Sequence, residues 1–358
     1  MSNGPDTVVT APASSRRSLL SKVLRVGSKR PLDSARTSVR FELLVLVTVV
    51  LLPVVANSNY VTTVTTQYLS FALLAVSLDI LWGYAGLISF GQGAIFGLGA
   101  YALGVTLQHT SGVWGTYLGL IAAVAISTAL GAIIGWVVFS VGQVVSGFGF
   151  AIVTLAVGLI LQLLATDWSA VTGGFNGLYG YAPMTVGVPG LQLTADTPVR
   201  SYYLVAIAAG AVYVGVRLFL SSKVGLIVRA ISQNDARAET LGHSVSHYRI
   251  LAVAVSSGVG GFAGALYLPS GIVTPSQMAL DFSTLAIIWV AIGGRGTLIG
   301  PVVGAVGLNW IQTYLSGKLL TLSTLATGVL LVLIVLVWPN GLVGAVRSLG
   351  QAARSFAR

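Results

Sequence analysis

The sequence predicts an all-α, polytopic transmembrane helical bundle of about ten spans, and three observations carry that reading. Only 8% of the 358 residues are charged and 55% are hydrophobic, with a mean hydropathy of +0.90. A soluble domain covers its surface with roughly 25% charged residues, so this chain has too few. Its apolar runs are continuous and do not alternate, which disfavours a β-barrel. Glycine is used 44 times, which suits spans that pack backbone against backbone. With no cysteine, neither a disulfide framework nor a thiolate metal site is possible. Three histidines, His109, His243 and His247, leave little from which to build a metal or proton site.

In chain order, residues 1–40 read as a basic, largely disordered tail rich in Ser, Pro, Thr and Arg. They lack the short apolar core and cleavage site of a signal peptide, so the tail is expected to be retained. Residues 41–344 form the predicted membrane domain and 345–358 a second basic tail. Spans are expected at 41–57, 61–82, 87–108, 113–139, 148–166, 202–220, 250–270, 281–293, 298–316 and 319–338. The net charge of +10 is concentrated at the ends. Arg16, Arg17, Lys22, Arg25, Lys29, Arg30, Arg36 and Arg40 precede the first span; Arg347, Arg354 and Arg358 follow the last. Basic flanks mark the cytoplasmic side, with anionic lipid as a partner, and not nucleic acid. An even span count places both termini there, together with the 221–249 loop and Arg295. The same count places the 167–201 loop outside.

Two glycine clusters interrupt the apolar pattern, at Gly83–Gly93 and Gly293–Gly304. They are weakly alike and both fall near the predicted cytoplasmic face. Two readings stand side by side: broken helices whose freed backbone lines a polar path, or tight turns and close packing. Intramembrane carboxylates are scarce. Asp79, just before the first cluster, is a functional candidate by default, although its shallow depth favours capping or orienting the turn that follows. There is no ladder of buried acids of the kind that proton- or sodium-coupled transport would need.

The one charged island between spans is Lys223–Arg249. It reads as a short amphipathic helix. Val224, Ile227, Ile231, Ala238 and Leu241 share a face, Arg229, Gln233 and Arg237 share another, and Gly242 stands where a left-handed C-terminal cap belongs. The apolar stripe must rest on the bilayer interface, on the protein's own base, or on a partner. No GxxxxGK[ST], GxSxG or HExxH motif occurs, so the chain reads as non-catalytic.

Taken together, Gly83–Tyr101 (GYAGLISFGQGAIFGLGAY), Gly225–Gly242 (GLIVRAISQNDARAETLG), Phe262–Met278 (FAGALYLPSGIVTPSQM), Ile287–Ala305 (IIWVAIGGRGTLIGPVVGA) and Val337–Gly344 (VWPNGLVG) resemble the permeases of branched-chain amino acid ABC importers. The VTPSQM and IIWVAIGGRGTLIG wording is most similar to the urea-importer branch. The resemblance implies a subunit of the bacterial inner membrane that pairs with a second, homologous permease. It also implies two cytoplasmic ATPase subunits that bind ATP and magnesium, and an external substrate-binding protein. No cofactor would be bound by this chain. ATPase coupling would fall on Arg229, Ala230, Asn234, Arg237, Ala238, Glu239 and Gly242, with the stripe and the Arg229/Arg237 face in a groove of the ATPase. The substrate pathway would draw on Asp79, Gly83, Gly86, Ser89, Gln92, Gly293, Gly294 and Asn309. Gln92 replaces a histidine common in the family, which leaves hydrogen bonding and no titrating group there. Urea or a short amide is the expected substrate, and a branched-chain amino acid is the alternative. A stand-alone channel or carrier would have no use for the charged island.

Overall fold

A computed structural model describes residues 58–141, 147–188 and 191–318, with isolated positions 328 and 341. The predicted spans 41–57 and 319–338 and both tails lie outside the described residues. Each of the other eight predicted spans coincides with a helix: α1 (Asn59–Asp79), α2 (Gln92–His109), α3 (Gly112–Trp136), α4 (Gly147–Asp167), α5 (Pro198–Ser221), α8 (Val245–Ala265), α9 (Leu280–Gly293) and α10 (Ile299–Lys318). Between α5 and α8, the charged island forms α6 (Lys223–Gln233) and α7 (Asp235–Thr240). Among the described residues, five helical stretches are long and apolar enough to cross a membrane: 59–85, 112–141, 147–167, 198–221 and 245–270. This is a multi-pass helical membrane protein.

The bundle is organised around α1, which packs against α5, α8, α9 and α10. From Leu74 to Leu78 its side chains are fully buried. The outward faces of α3, α4 and α5 expose Ile121, Ile133, Leu163, Ile207 and Leu218, the surface that lipid tails accept. Between α2 and α8 glycines set the spacing. A Cβ on Gly99 would sit 1.9 Å from the Gly261 carbonyl oxygen, and one on Gly264 would sit 1.7 Å from that of Phe96. Small residues bring the backbones together where no larger side chain fits. Next to this contact Phe71 stacks between Trp289 and Tyr267, at centroid distances of 5.2 and 5.7 Å.

The expected span 87–108 is helical only from Gln92. Before it, α1 continues as a wider, π-helical turn over Ile80–Ala85, and the chain then runs without helix to Gly91. The 167–201 loop contains an element that composition did not announce: an antiparallel pair, β1 (Thr185–Val188) and β2 (Leu191–Thr194), with Thr185 opposite Thr194. Ahead of the pair, Tyr181 donates to the Leu268 carbonyl at 2.8 Å. Burial pushes its phenol upward, so it remains a donor throughout the physiological range. Because α5 joins β2 to α6, the hairpin and the charged island mark opposite ends of the bundle.

Candidate functional site

The charged island is two helices and not one. Asn234 leaves helical geometry (φ −163°, ψ 102°) and its Oδ1 accepts from the Arg237 N–H at 3.0 Å, an N-cap that starts α7. At the far end Gly242 is left-handed (φ +84°). The His243 N–H donates to the Ala238 carbonyl and the Gly242 N–H to that of Glu239, the two bonds of a Schellman cap. Gly242 therefore stands where the sequence placed it.

The apolar stripe rests on the bundle's own base. Val228 joins a core with Leu81, Ala85, Phe139 and Phe150; Ile231 and Ala238 pack with Val245. Val224 and Ile227 are half-buried, whereas Leu241, expected on the same face, is 72% exposed because the break at Asn234 rotates α7. Arg229 is exposed, and its guanidinium lies over the Tyr84 ring, 4.7 Å from the centroid. Asp235 holds α7 to α8 through Arg249 at 2.6 Å. The exposed residues of the two helices include Leu226, Arg229, Ala230, Gln233, Ala236, Arg237, Glu239 and Leu241.

The two glycine clusters meet each other at this end. The Asp79 carboxylate, fully buried, accepts from the Gly296 N–H at 2.7 Å and the Leu298 N–H at 3.3 Å. It thus caps the α9–α10 loop, and not the turn that follows it in sequence. Gly83 makes room for that contact: a Cβ there would lie 2.1 Å from Asp79 Oδ1 and 2.6 Å from the Gly296 nitrogen. Leu298 has φ +56°, the one positive-φ non-glycine residue among the described residues. That left-handed geometry costs a leucine about 1 kcal/mol, and the bond to Asp79 offsets it. Gly293 and Gly294 are buried, with Gly293 against the Gly300 carbonyl and Gly341 against Gly294.

Ser89 and Gln92 lie inside the bundle. Gln92 Nε2 donates to Ser77 Oγ (2.8 Å) and Ser256 Oγ (3.1 Å), and Ser256 Oγ donates to the Ser77 carbonyl (2.6 Å). These bonds tie α1, α2 and α8 together. A cavity of about 10 Å³ beside them, reached by Ser89, Gln92, Thr154 and Ser257, holds roughly one water molecule. Gly86, exposed and left-handed, faces Ser232 of α6.

Of the eight residues expected along a pathway, Asn309 alone lines the large concavity. It is a groove of about 510 Å³ between α1 and α10, walled by Tyr60, Gln67, Tyr68 and Phe71 on one side and Asn309, Gln312, Thr313, Ser316 and Gly317 on the other. The groove occupies the hairpin-side half of the bundle, since α1 ends and α10 begins at the charged-island end. Tyr68 and Thr313 hydroxyls are hydrogen-bonded across it, and Gln67 Nε2 donates to Tyr267 at 2.8 Å. Amides and hydroxyls are present, and no charged side chain lines it among the described residues. The signal was in the spacing: positions 309, 312, 313 and 316 form one helical face, as do 60, 67, 68 and 71.

A helical membrane body with an uncharged groove at one end and a capped amphipathic segment at the other is the build of a transport subunit. Residues 60–338 match the family described as branched-chain amino acid transport system / permease component, and the chain belongs to that family. It is 27% identical over 305 residues to the high-affinity branched-chain amino acid transport system permease protein LivM of Salmonella typhimurium, covering 79% of this chain and 70% of the relative. A probable LivM of Methanocaldococcus jannaschii is 22% identical, over 76% and 90% of the two chains. A putative glucose ABC transporter permease protein of Haloferax volcanii is 26% identical, over 67% and 69%. No solved structure matches. The chain is a permease component of an ABC transporter.

Proposed function

We propose that this permease carries a small, neutral, hydrogen-bonding solute, urea or a short amide, as part of an ATP-driven importer. The observation that carries this reading is the α1–α10 groove, which offers carboxamides and hydroxyls from Gln67, Asn309, Gln312, Thr313 and Ser316 and, among the described residues, no charged partner. Urea needs a donor for its carbonyl and acceptors for its N–H groups, and that set supplies both. A zwitterionic leucine would enter with a carboxylate and an ammonium that none of the described lining residues neutralises. The similarity to a putative glucose permease adds a relative whose printed substrate is also uncharged and polar. Branched-chain amino acids are the second reading, favoured by the LivM relatives.

In this proposal the chain is not an enzyme. A homologous permease completes the pathway, two ATPase subunits hold ATP and magnesium and dock on the outward face of α6 and α7, and an external binding protein delivers the solute at the hairpin end. Both termini lie in the cytoplasm of a bacterial cell. ATP drives the cycle because the ATPases bind it with different affinity in the two states. The test is uptake of labelled urea at micromolar concentration in cells with and without the gene, with excess leucine as competitor. The expected result is saturable urea uptake that deletion abolishes and leucine leaves untouched. Loss of leucine uptake with urea uptake intact would overturn the substrate and leave the class standing.

A further inference from the structure

We propose that the Ile80–Ala85 turn is the mechanical link between the charged island and the groove, with Tyr84 and Asp79 as its positioning residues. The proposal rests on the importer reading above, in which ATPase subunits drive α6 and α7. Four contacts carry it. On one side of the turn, Arg229 of α6 covers Tyr84 at 4.7 Å, and Ser232 of α6 meets Gly86, where a Cβ would lie 3.3 Å from that of Ser232. On the other side, Asp79 holds the Gly296 and Leu298 amides, and Gly83 packs directly on Gly296.

From Leu298 the chain enters α10, the helix that presents Asn309, Gln312, Thr313 and Ser316 to the groove. A displacement of α6 therefore has a direct route to the groove wall through one turn of backbone, beside its core contact at Val228. Two local features suit the turn to this task. It is π-helical, a form that inserts an extra residue per turn and marks functional sites more often than ordinary helix. It also grips a loop whose Leu298 is held left-handed, and strained backbone of that kind clusters at ligand clamps and switch regions.

The absence of cysteine makes the decisive test clean. A Gly86→Cys/Ser232→Cys pair places its Cβ atoms 3.3 Å apart, slightly inside the ~3.5–4.5 Å of a relaxed disulfide, so a few tenths of an ångström of outward shift lets it close. If α6 and the turn move as one body, oxidising this pair in the assembled importer keeps uptake within about twofold of the reduced form. Uptake that stops on oxidation and returns with reductant means that the contact must open, and overturns the link.

Tyr84→Leu and Arg229→Gln form the second arm. Each is expected to cut uptake about tenfold while ATP hydrolysis by the assembled transporter changes less than about twofold, and the double variant is no worse than either single. A merely structural role would instead lower hydrolysis and uptake in proportion, and that outcome also overturns the link while leaving the importer reading in place. Uptake by the unaltered protein that needs no ATP would remove the importer reading itself, and the proposal with it.

Discussion

Replacing Asp79 with alanine is expected to loosen the charged-island end of the bundle by about 3 kcal/mol, the cost of withdrawing a charged acceptor from one buried and one half-buried amide. Gly296 and Leu298 would both lose the acceptor that α1 supplies. The left-handed Leu298 would lose the bond that offsets its backbone cost. Asp79→Asn keeps an oxygen that still accepts from one amide, but it sets an NH2 against the other, so it should fall between wild type and alanine. The measurement is thermal unfolding of the purified protein in detergent. The expected order of stability is wild type, Asn, Ala. Equal stability of all three would mean that the carboxylate does not hold the α9–α10 loop.

The second large effect is at Gly99. A valine there puts a Cβ 1.9 Å from the Gly261 carbonyl oxygen, well inside van der Waals contact, and that oxygen belongs to helix backbone and cannot rotate away. α2 and α8 must separate, which opens the Gln92–Ser256 bonds on the same interface. Overpacking typically costs 1–3 kcal/mol; with backbone on both sides we expect about 3 kcal/mol or more, read as loss of folded protein from the membrane fraction. Gly210→Val in α5, where nothing lies within 4 Å of the new Cβ, is the matched control and should accumulate normally. Similar yields for both variants would contradict the close packing of α2 on α8.

Much of this architecture was legible in the sequence because continuous apolar runs are sufficient to place helices. The eight predicted spans within the described residues each found one, and Gly242 found its cap. Tertiary placement was less legible. Asn234 breaks the charged island because its side chain competes for the Arg237 amide, and the sequence Asn-Asp-Ala-Arg is an N-cap signal that the helical periodicity overrode. The contact of exposed Arg229 with the Tyr84 ring is one that no spacing rule connects. The glycine clusters are weakly alike in sequence, but that likeness does not announce the contact between Gly83 and Gly296. The groove was missed except at Asn309 because its walls come from α1 and α10, far apart in sequence. Each wall nevertheless carries its own polar stripe.

The central claim is that the solute passes along the α1–α10 groove and not through the Gly83–Gly93 segment. In a chain without native cysteine, Thr313→Cys and Ser89→Cys can each be tested with a small, membrane-impermeant thiol reagent applied from outside to intact cells. Thr313 lines the groove, whereas Ser89 is buried beside a space that holds one water. The account predicts that Thr313→Cys is modified, that excess urea slows its modification, and that Ser89→Cys stays unmodified. Modification of Ser89→Cys with protection by urea, and none at Thr313→Cys, would contradict it.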